Sequence, residues 1–572
     1  MMKSSWPGRI KWRIAAAVLL AAALAAASGC RGEDAAPGDA VRPEFSAAAS
    51  EPEAYGRSAK PVSLRIGFKI PDSHLMAGDS NDNNPVTRYL ESITNIRISH
   101  YWEAKGEEAY SQRVRMAVDS KDMPDAMVVD REQLERLVTG GMVEDLTEVF
   151  SRYGSSLVKD MYRSTGDGVL AAASRDGRLY GLPNVALQAD SATLLWVRQD
   201  WLSRLGLSPP ETLEDIERIA RAFVERDPDG NGKRDTVGIS GYRNIVYGQK
   251  PRISGFDSVF NAFGAYPGNW VRDSGGEIIY GSVAPEAKQA LTLLADWYKR
   301  GLIDPDFPLY QETQEPIVAS KAGIFFGPWW MPFFPLSDAV RINVNAEWRA
   351  YAAPLDAQGR FIIHSAPSTD RFLVVRKGYE HPEAVVKLVN AFTRLERRQD
   401  PNEAAKTLDD FSAKTGIQPR AYYPFDLLID YADAIETHYA DLQQALHGKI
   451  DPGKLEPEAR LLYDRWILEL AQPKKDLEGW KAVNAYKYGV GVLASTPGVR
   501  VKSAFYGITP SMPGKWSELQ RMENEAFLKM IVGDSPLEEF GRFVKEWELA
   551  GGAQITEEVR QAVPVDTEGK LR

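Results

Sequence analysis

Oxygen-bearing side chains recur at alternate positions in one short segment of the chain. The donors fall at positions 1, 3, 5, 7 and 9 of a calcium loop: Asp227, Asp229, Asn231, Lys233 through its backbone carbonyl, and Asp235. Gly232 allows the sharp turn needed at position 6, but Gly238 replaces the usual glutamate at position 12. Hard oxygen donors favour Ca²⁺ in a structural role. The alternative is a hydrogen-bonded loop that follows a helix.

Adjacent tryptophans indicate a second kind of chemistry, stacking on a ligand. The segment from Phe325 to Phe334 contains Trp329 and Trp330, and its prolines prevent it from being a strand throughout. We expect a strand to end near Phe326 and the two indoles to follow on a loop, where their flat faces can bind sugar rings. Trp270 is a third candidate. Burial in the core is the alternative for all three.

Motifs of most enzyme classes are absent from the sequence. The six histidines show no zinc-ligand spacing, and the chain has no nucleophile elbow, P-loop or dinucleotide-binding fingerprint. We therefore predict that the protein is not an enzyme. A catalytic carboxylate pair could still occur among its 79 acidic residues, which leaves a surface enzyme acting on polysaccharide as an alternative.

The only cysteine, Cys30, follows a basic start, an apolar run from Ile14 to Ala27, and small residues. This is the pattern of a secretory signal, and the apolar run is short for a membrane span. The cysteine resembles the lipidated residue of bacterial lipoproteins. We predict a signal peptide over 1–29, lipidation at Cys30 and a flexible tether over 30–60, which places the protein on the outer face of the cell membrane.

Charge excludes one class of partner. The full chain carries −10, and loss of the signal peptide with its four basic residues makes the mature protein −14. Because phosphate binding needs clustered lysine and arginine, nucleic acid is not expected as a partner.

Alternating strands and helices must position these candidate residues. Val62 to Phe68 alternates apolar and polar residues, as a strand does. Helices are predicted after the N-cap Thr212, around Leu291 with Gly301 as its stop, and from Ser535 to Gly552. The pattern indicates an α/β fold.

Several segments resemble the extracellular solute-binding proteins of carbohydrate ABC importers, in particular lipoproteins related to alginate-binding proteins. The likeness runs from about Leu64 almost to the end and rests on K-D-M-P-D at 121–125, D-G-R-L-Y-G-L-P at 176–183, L-W-V-R-Q-D-W-L at 195–202, K-A-G-I-F-F-G-P-W at 321–329 and the closing segment 536–563.

The resemblance implies a two-lobe periplasmic-binding-protein-like fold (type II), with a hinge and a C-terminal helical region. Lobe 1 is expected over 61–188 plus 366–415, and lobe 2 over 189–365 plus 416–572. Trp329 falls at a stacking position of sugar binders and Trp270 matches more loosely. The loop from Asp227 to Asp235 is similar to a calcium loop of the relatives, although Thr236 replaces an acidic ligand there.

The implied function is to bind an oligosaccharide in the cleft between the lobes and deliver it, as a monomer, to the permease subunits of an ABC transporter. A sugar sensor that does not transport is a further alternative, alongside the polysaccharide enzyme. Lobe closure on the sugar would then be the signal that the permease recognises.

Overall fold

The structure is a computed structural model that describes residues 51–71, 75–166, 168–248, 252–310, 312–415 and 419–563. The predicted signal peptide, Cys30 and most of the predicted tether lie outside the described residues. Within the described residues, each helix is too short or too polar to cross a lipid bilayer.

Short strands supply the sheets of both lobes. The strands are β1 (Val62–Ile70), β2 (Ile96–Lys105), β3 (Ala126–Val129), β4 (Ser174–Arg175), β5 (Arg178–Leu179), β6 (Leu182–Pro183), β7 (Leu194–Arg198), β8 (Val237–Ile239), β9 (Trp270–Arg272), β10 (Ile278–Tyr280), β11 (Ala322–Gly327), β12 (Trp348–Tyr351), β13 (Ile362–Ser365), β14 (Phe372–Val375) and β15 (Val499–Lys502).

Helices cover these sheets and form most of the C-terminal part. They are α1 (Glu51–Tyr55), α2 (Pro85–Thr94), α3 (Glu107–Ser120), α4 (Arg131–Thr139), α5 (Thr147–Tyr153), α6 (Ser156–Ser164), α7 (Gly168–Ala172), α8 (Gln199–Leu205), α9 (Leu213–Glu225), α10 (Asp257–Ala262), α11 (Pro285–Lys299), α12 (Glu315–Val318), α13 (Leu336–Ile342), α14 (Pro382–Glu396), α15 (Lys406–Thr415), α16 (Ala434–Leu446), α17 (Pro457–Ala471), α18 (Leu477–Asn484), α19 (Gly491–Ser495), α20 (Met512–Val532), α21 (Phe540–Trp547) and α22 (Ala553–Ala562).

Two mixed sheets form the centres of the lobes. The first has the order β2-β1-β3-β14-β6, with β1 parallel to β2 and β3, and β14 antiparallel to its neighbours. The second has the order β12-β7-β11-β8, with β7 antiparallel to β11 and β12. Because β1 and β3 run parallel, their carboxyl ends meet at one sheet edge, where ligands of α/β proteins bind.

The apolar side chains form three cores. The first core draws on residues 62–185 and 372–429, and belongs to lobe 1. The second draws on 195–353 and 512–559, and the third on 189–363 and 442–490. Leu427 and Ile429 pack in the first core, although the sequence prediction placed 416 onward in lobe 2. The packing therefore favours a boundary near residue 430.

Three chain segments cross side by side between the lobes. The backbone N–H of Val185 donates to the Leu428 carbonyl (2.8 Å) and that of Ala186 to the Ser368 carbonyl (2.9 Å). Asn184 strengthens the crossing, since its Oδ1 accepts from the backbone N–H groups of residues 370 and 371. Such a narrow hydrogen-bonded bridge is the usual form of a hinge.

The predicted local elements are found, with one difference at the C-terminus. Thr212 caps α9 in a capping box with Asp215, and β1 begins at Val62 as expected. The last predicted helix begins as an α-helix only at Phe540, after a 3₁₀ turn. Gly551 does not end it: a π-helical turn with a kink at this glycine (φ 129°) leads directly into α22.

Candidate functional site

A cavity of about 520 Å³ lies between the first and second cores. Lobe 1 contributes the start of α4 and the segment before β14, while lobe 2 contributes the β9–β10 hairpin and α20. Both lobes thus supply walls, as a ligand that is held by closure requires. We call this space the interlobe cavity. Its aromatic and carboxylate lining comprises Asp130, Glu132, Tyr247, Trp270, Tyr280, Asp370, Phe505, Tyr506, Trp516 and Glu523.

Aromatic rings form the lobe 2 wall of the interlobe cavity. The rings of Trp270 and Trp516 stack with centroids 5.9 Å apart, and Tyr280 lies against both, 5.0 Å from Trp270 and 5.2 Å from Trp516. Tyr280 stacks in turn on Trp547, at 5.0 Å and an interplanar angle of 3°. This packed group fixes the orientation of the ring surface that the cavity presents.

Two glycines allow the loops behind this wall to meet. Gly248 and Gly268 have positive φ values of 59° and 73°. A Cβ atom added to Gly268 would lie 2.8 Å from the Cα of Gly248. Only glycine permits both the backbone conformation and this close approach, which sets the position of Trp270 two residues later.

Buried carboxylates support the same wall. Glu523 on α20 accepts from the hydroxyls of Tyr280 (2.9 Å) and Ser282 (2.6 Å), and its burial raises its pKa to about 7. Asp257 accepts from the backbone N–H groups of Tyr247 (3.0 Å) and Gly248 (2.7 Å), and burial raises its pKa to about 6. The two bonds to Asp257 tie the cavity-lining loop at 247–248 to the body of the lobe.

A second cavity, of about 380 Å³, adjoins the first at Asp130 and Asp370. It lies at the carboxyl ends of β1 and β3 and is walled by an ion-pair network. Lys69 and Arg371 both pair with Glu107 (2.9 and 3.3 Å) and with Asp426. Burial acts to raise the pKa of Asp426, but the charges of Arg371 and Lys69 outweigh it and hold that pKa low.

The three predicted tryptophans do not come together. Trp270 lines the interlobe cavity but is also buried in the second core, with 2% of its surface exposed, whereas Trp329 and Trp330 do not line the cavity. Trp329 is buried in the third core, where its indole N–H donates to Asp190 (2.8 Å) and its ring meets Tyr486 at 5.5 Å. Trp330 is half-buried against the same core. The sequence analysis did not identify Trp516 and Glu523, which lie seven residues apart on one face of α20. Their helical spacing was the only signal in the sequence that they share a face.

The loop from Asp227 to Asp235 gathers its polar side chains around Asn231. The Asn231 amide donates to Asp229 (2.8 Å) and Asp235 (3.0 Å), while Asp227 accepts from the backbone of Gly232 (2.9 Å). Partial burial and the neighbouring carboxylates raise the pKa of Asp229. In the described residues, no group of three or more acidic, histidine or cysteine side chains has converged on a metal position. Carboxylate and amide oxygens on one turn are donor types that Ca²⁺ takes, but here the Asn231 amide turns its N–H groups toward Asp229 and Asp235.

The two lobes, the three crossings and the cavity between them define the fold of two-lobe solute-binding proteins. The alginate-binding protein AlgQ2, solved without calcium ion, has a TM-score of 0.61 and 16% identity, covering 88% of this chain and 98% of that one. The S. pneumoniae ABC-transporter substrate-binding protein FusA in complex with kestose has a TM-score of 0.59 and 16% identity, with the same coverage.

Sequence comparison assigns the family. The model of the bacterial extracellular solute-binding protein family matches residues 75–396, more than half of the chain, and the chain belongs to this family. It is 21% identical to the polygalacturonan/rhamnogalacturonan-binding protein YtcQ of Bacillus subtilis (strain 168), over 96% of this chain and 98% of YtcQ. It is 24% identical to the fructooligosaccharide ABC transporter substrate-binding protein FusA of Streptococcus pneumoniae, over 46% of this chain and 49% of FusA.

Proposed function

We propose that this protein binds an oligosaccharide in the interlobe cavity and delivers it to the permease subunits of an ABC importer. The observation that carries the proposal is the position of Trp270, Trp516 and Tyr506 on a cavity walled by both lobes. Aromatic faces suit the apolar faces of sugar rings, and the polar groups around them suit hydroxyls. The ligands of the relatives YtcQ and FusA, a polygalacturonan or rhamnogalacturonan and a fructooligosaccharide, support a sugar as the ligand class.

Lobe closure supplies the mechanism. A ligand that contacts both walls favours the closed state by the difference between its affinities for the two states. Asn184 and the hydrogen-bonded crossings leave few backbone positions to absorb the motion, so the lobes would move as rigid bodies. The closed shape is then what a permease distinguishes from the open one.

A thermal-shift and calorimetry screen against neutral and acidic oligosaccharides tests this function. We expect one class of sugar to raise the melting temperature and to be recovered intact after incubation. The appearance of new reducing ends or unsaturated products would instead support a surface polysaccharide enzyme. If cells that carry the permease genes did not take up the sugar that the protein binds, the protein would be a sensor.

We also propose that the loop from Asp227 to Asp235 holds a structural Ca²⁺ with oxygens of Asp227, Asp229, Asn231 and Asp235 and the carbonyl of Lys233. The ion would neutralise carboxylates that otherwise repel one another. Chelation should lower the melting temperature and Ca²⁺ should restore it, whereas Asp229→Asn should abolish the response. Asp273→Asn is the matched control, because Asp273 also caps a turn, accepting from Gly275 (2.8 Å) and Glu277 (3.0 Å). Indifference to chelator and to Ca²⁺ would exclude the ion.

Membrane retention is proposed to come from Cys30. A lipid anchor followed by a short tether would keep the receptor at high local concentration near a permease. Cys30→Ala should release the protein into the medium with its ligand affinity unchanged. Retention of the variant on cells would show that another segment anchors the chain.

A further inference from the structure

Arg131 is the one guanidinium among the described residues that line the interlobe cavity. It is the first residue of α4, directly after the N-cap Asp130, and its side chain is half-buried. The guanidinium carbon lies 5.3 Å from the centroid of the Phe372 ring, which is itself fully buried. The ring holds the guanidinium by a cation–π contact at a position where the residue lines the cavity.

No hydrogen bond or ion pair engages this guanidinium within the described part of the chain. Its burial lowers the pKa of Arg131, although Glu135 and Asp370 act in the opposite direction. An arginine that gives up water normally pairs with a carboxylate, because its five N–H donors otherwise lose hydrogen bonds. Here no protein group at hydrogen-bond distance compensates that loss.

The carboxylates of the same cavity are mostly committed elsewhere. Asp130 accepts from the backbone N–H of Gln133 (2.8 Å) as the cap of α4, and Asp370 accepts from the Asn184 amide (2.9 Å). Glu523 is held by two hydroxyls on the opposite wall. Glu132 also lines the cavity; burial and the charge of Asp130 raise its pKa, which suits an acceptor for a ligand hydroxyl.

We infer that Arg131 binds an anionic group of the ligand, the carboxylate of a uronic acid residue, whose sugar ring lies against the tryptophan wall. This inference rests on the proposed sugar-binding function and specifies its substrate class. A carboxylate matches the guanidinium fork with two parallel hydrogen bonds, and a partly buried site strengthens them. Because Arg131 belongs to lobe 1 and Trp516 to lobe 2, a uronate bound to both would bridge the lobes.

The experiment compares trigalacturonate with the neutral galactotriose of the same linkage position by calorimetry. We expect the native protein to bind the acidic sugar at least about 10-fold more tightly. Arg131→Gln should weaken the acidic sugar about 10- to 100-fold and the neutral sugar less than about 3-fold. Arg131→Lys should recover part of the preference, and added salt should reduce the preference in the native protein and in Arg131→Lys but not in Arg131→Gln.

Arg136→Gln is the matched control, since Arg136 lies on the same helix but pairs with Asp119 on the surface. Thermal melting of each variant without sugar checks that it is folded. Equal binding of both sugars, tighter binding of the neutral one, or an acid preference that survives in Arg131→Gln would each overturn the inference while sugar binding stands. Failure of every sugar to bind would instead overturn the proposed function, and the inference with it.

Discussion

Two pairs of tryptophans differ in whether they line the interlobe cavity. Trp270 and Trp516 pack against the second core and line the interlobe cavity, whereas Trp329 and Trp330 pack against the third core and do not line it. The first pair comes from a hairpin and a helix almost 250 residues apart in sequence, and the second pair is adjacent. A ligand-facing aromatic surface is therefore built by tertiary packing here, and adjacency in sequence does not indicate it.

The helices after residue 434 explain the difference. The π-helical turn Ala485–Val490 lies directly on the backbone of Trp329, where a Cβ added to Gly489 would stand 2.3 Å from the Trp329 carbonyl oxygen. That glycine lets the helix approach and close off the indole. Trp270 is itself 2% exposed, because Trp516 and Tyr280 pack against it, whereas the half-buried Trp516 stays accessible at the cavity wall.

Replacement of Trp329 by alanine is the largest perturbation of this comparison. It empties a large buried volume and leaves Asp190, whose pKa burial already raises, without its indole donor. We expect the free energy of unfolding to fall by about 3–5 kcal/mol in urea denaturation, with ligand affinity of the folded protein unchanged. A large loss of affinity at unchanged stability would place Trp329 in the binding site and break the comparison.

The carboxylates behind the two pairs extend the contrast. Glu523 has its pKa raised to about 7, so the folded state holds a proton that the unfolded state releases near its ordinary value of 4.5. Stability from this group is therefore present at low pH and is lost as the pH rises through about 7. Glu523→Gln should gain up to about 3 kcal/mol relative to the native protein between pH 4 and pH 8.

The difference in unfolding free energy between the native protein and Glu523→Gln reports mainly on Glu523. Burial lowers the pKa of His364 and of His438 to about 4, so both histidines destabilise the fold as the pH falls from 6.5, but they do so equally in both proteins. Chemical denaturation at several pH values measures the difference. A pH-independent difference would mean that Glu523 has an ordinary pKa in the folded state.

Much of the fold follows from sequence, because its signals are local. The capping box of Thr212 and Asp215, the alternation that begins at Val62 and the stop of β11 at Gly327 all depend on neighbours within a few residues. The two-lobe class came from the family resemblance. The kink at Gly551, where the helix continues as α22, was missed because a glycine pair normally ends a helix.

The site is less predictable, because it depends on distant contacts. Trp270 is held at the cavity by the hydrogen bond that its backbone N–H donates to the side-chain hydroxyl of Ser503 (3.0 Å), 233 residues away. Trp516, Glu523 and Arg131 carry no local motif, and only the packing of α20 against the hairpin and of α4 against β14 makes them neighbours of one space. Local patterns hold no information on such pairings.

Replacement of Trp516 by alanine tests the other half of the comparison. The ring is half-buried, and it supplies the wall without filling a core, so we expect a smaller loss of stability than for Trp329→Ala. Affinity for the sugar should fall about 10- to 100-fold in calorimetry, the range of an interface residue that carries binding energy. Unchanged affinity would indicate that the sugar binds in the adjoining cavity of lobe 1 and not against Trp516.

Phe333 gives the smallest expected effect. Its side chain stands edge-on to Trp329, with ring centroids 6.3 Å apart, and is 39% exposed, so it adds little to the third core. Phe333→Ala should change the free energy of unfolding by no more than about 0.5 kcal/mol and leave sugar affinity unchanged. Denaturation and calorimetry measure both quantities, and transport assays in cells add a third. Normal stability and binding with lost uptake would show that the surface beside Trp329 serves the permease, which would give the second tryptophan pair a functional neighbour after all.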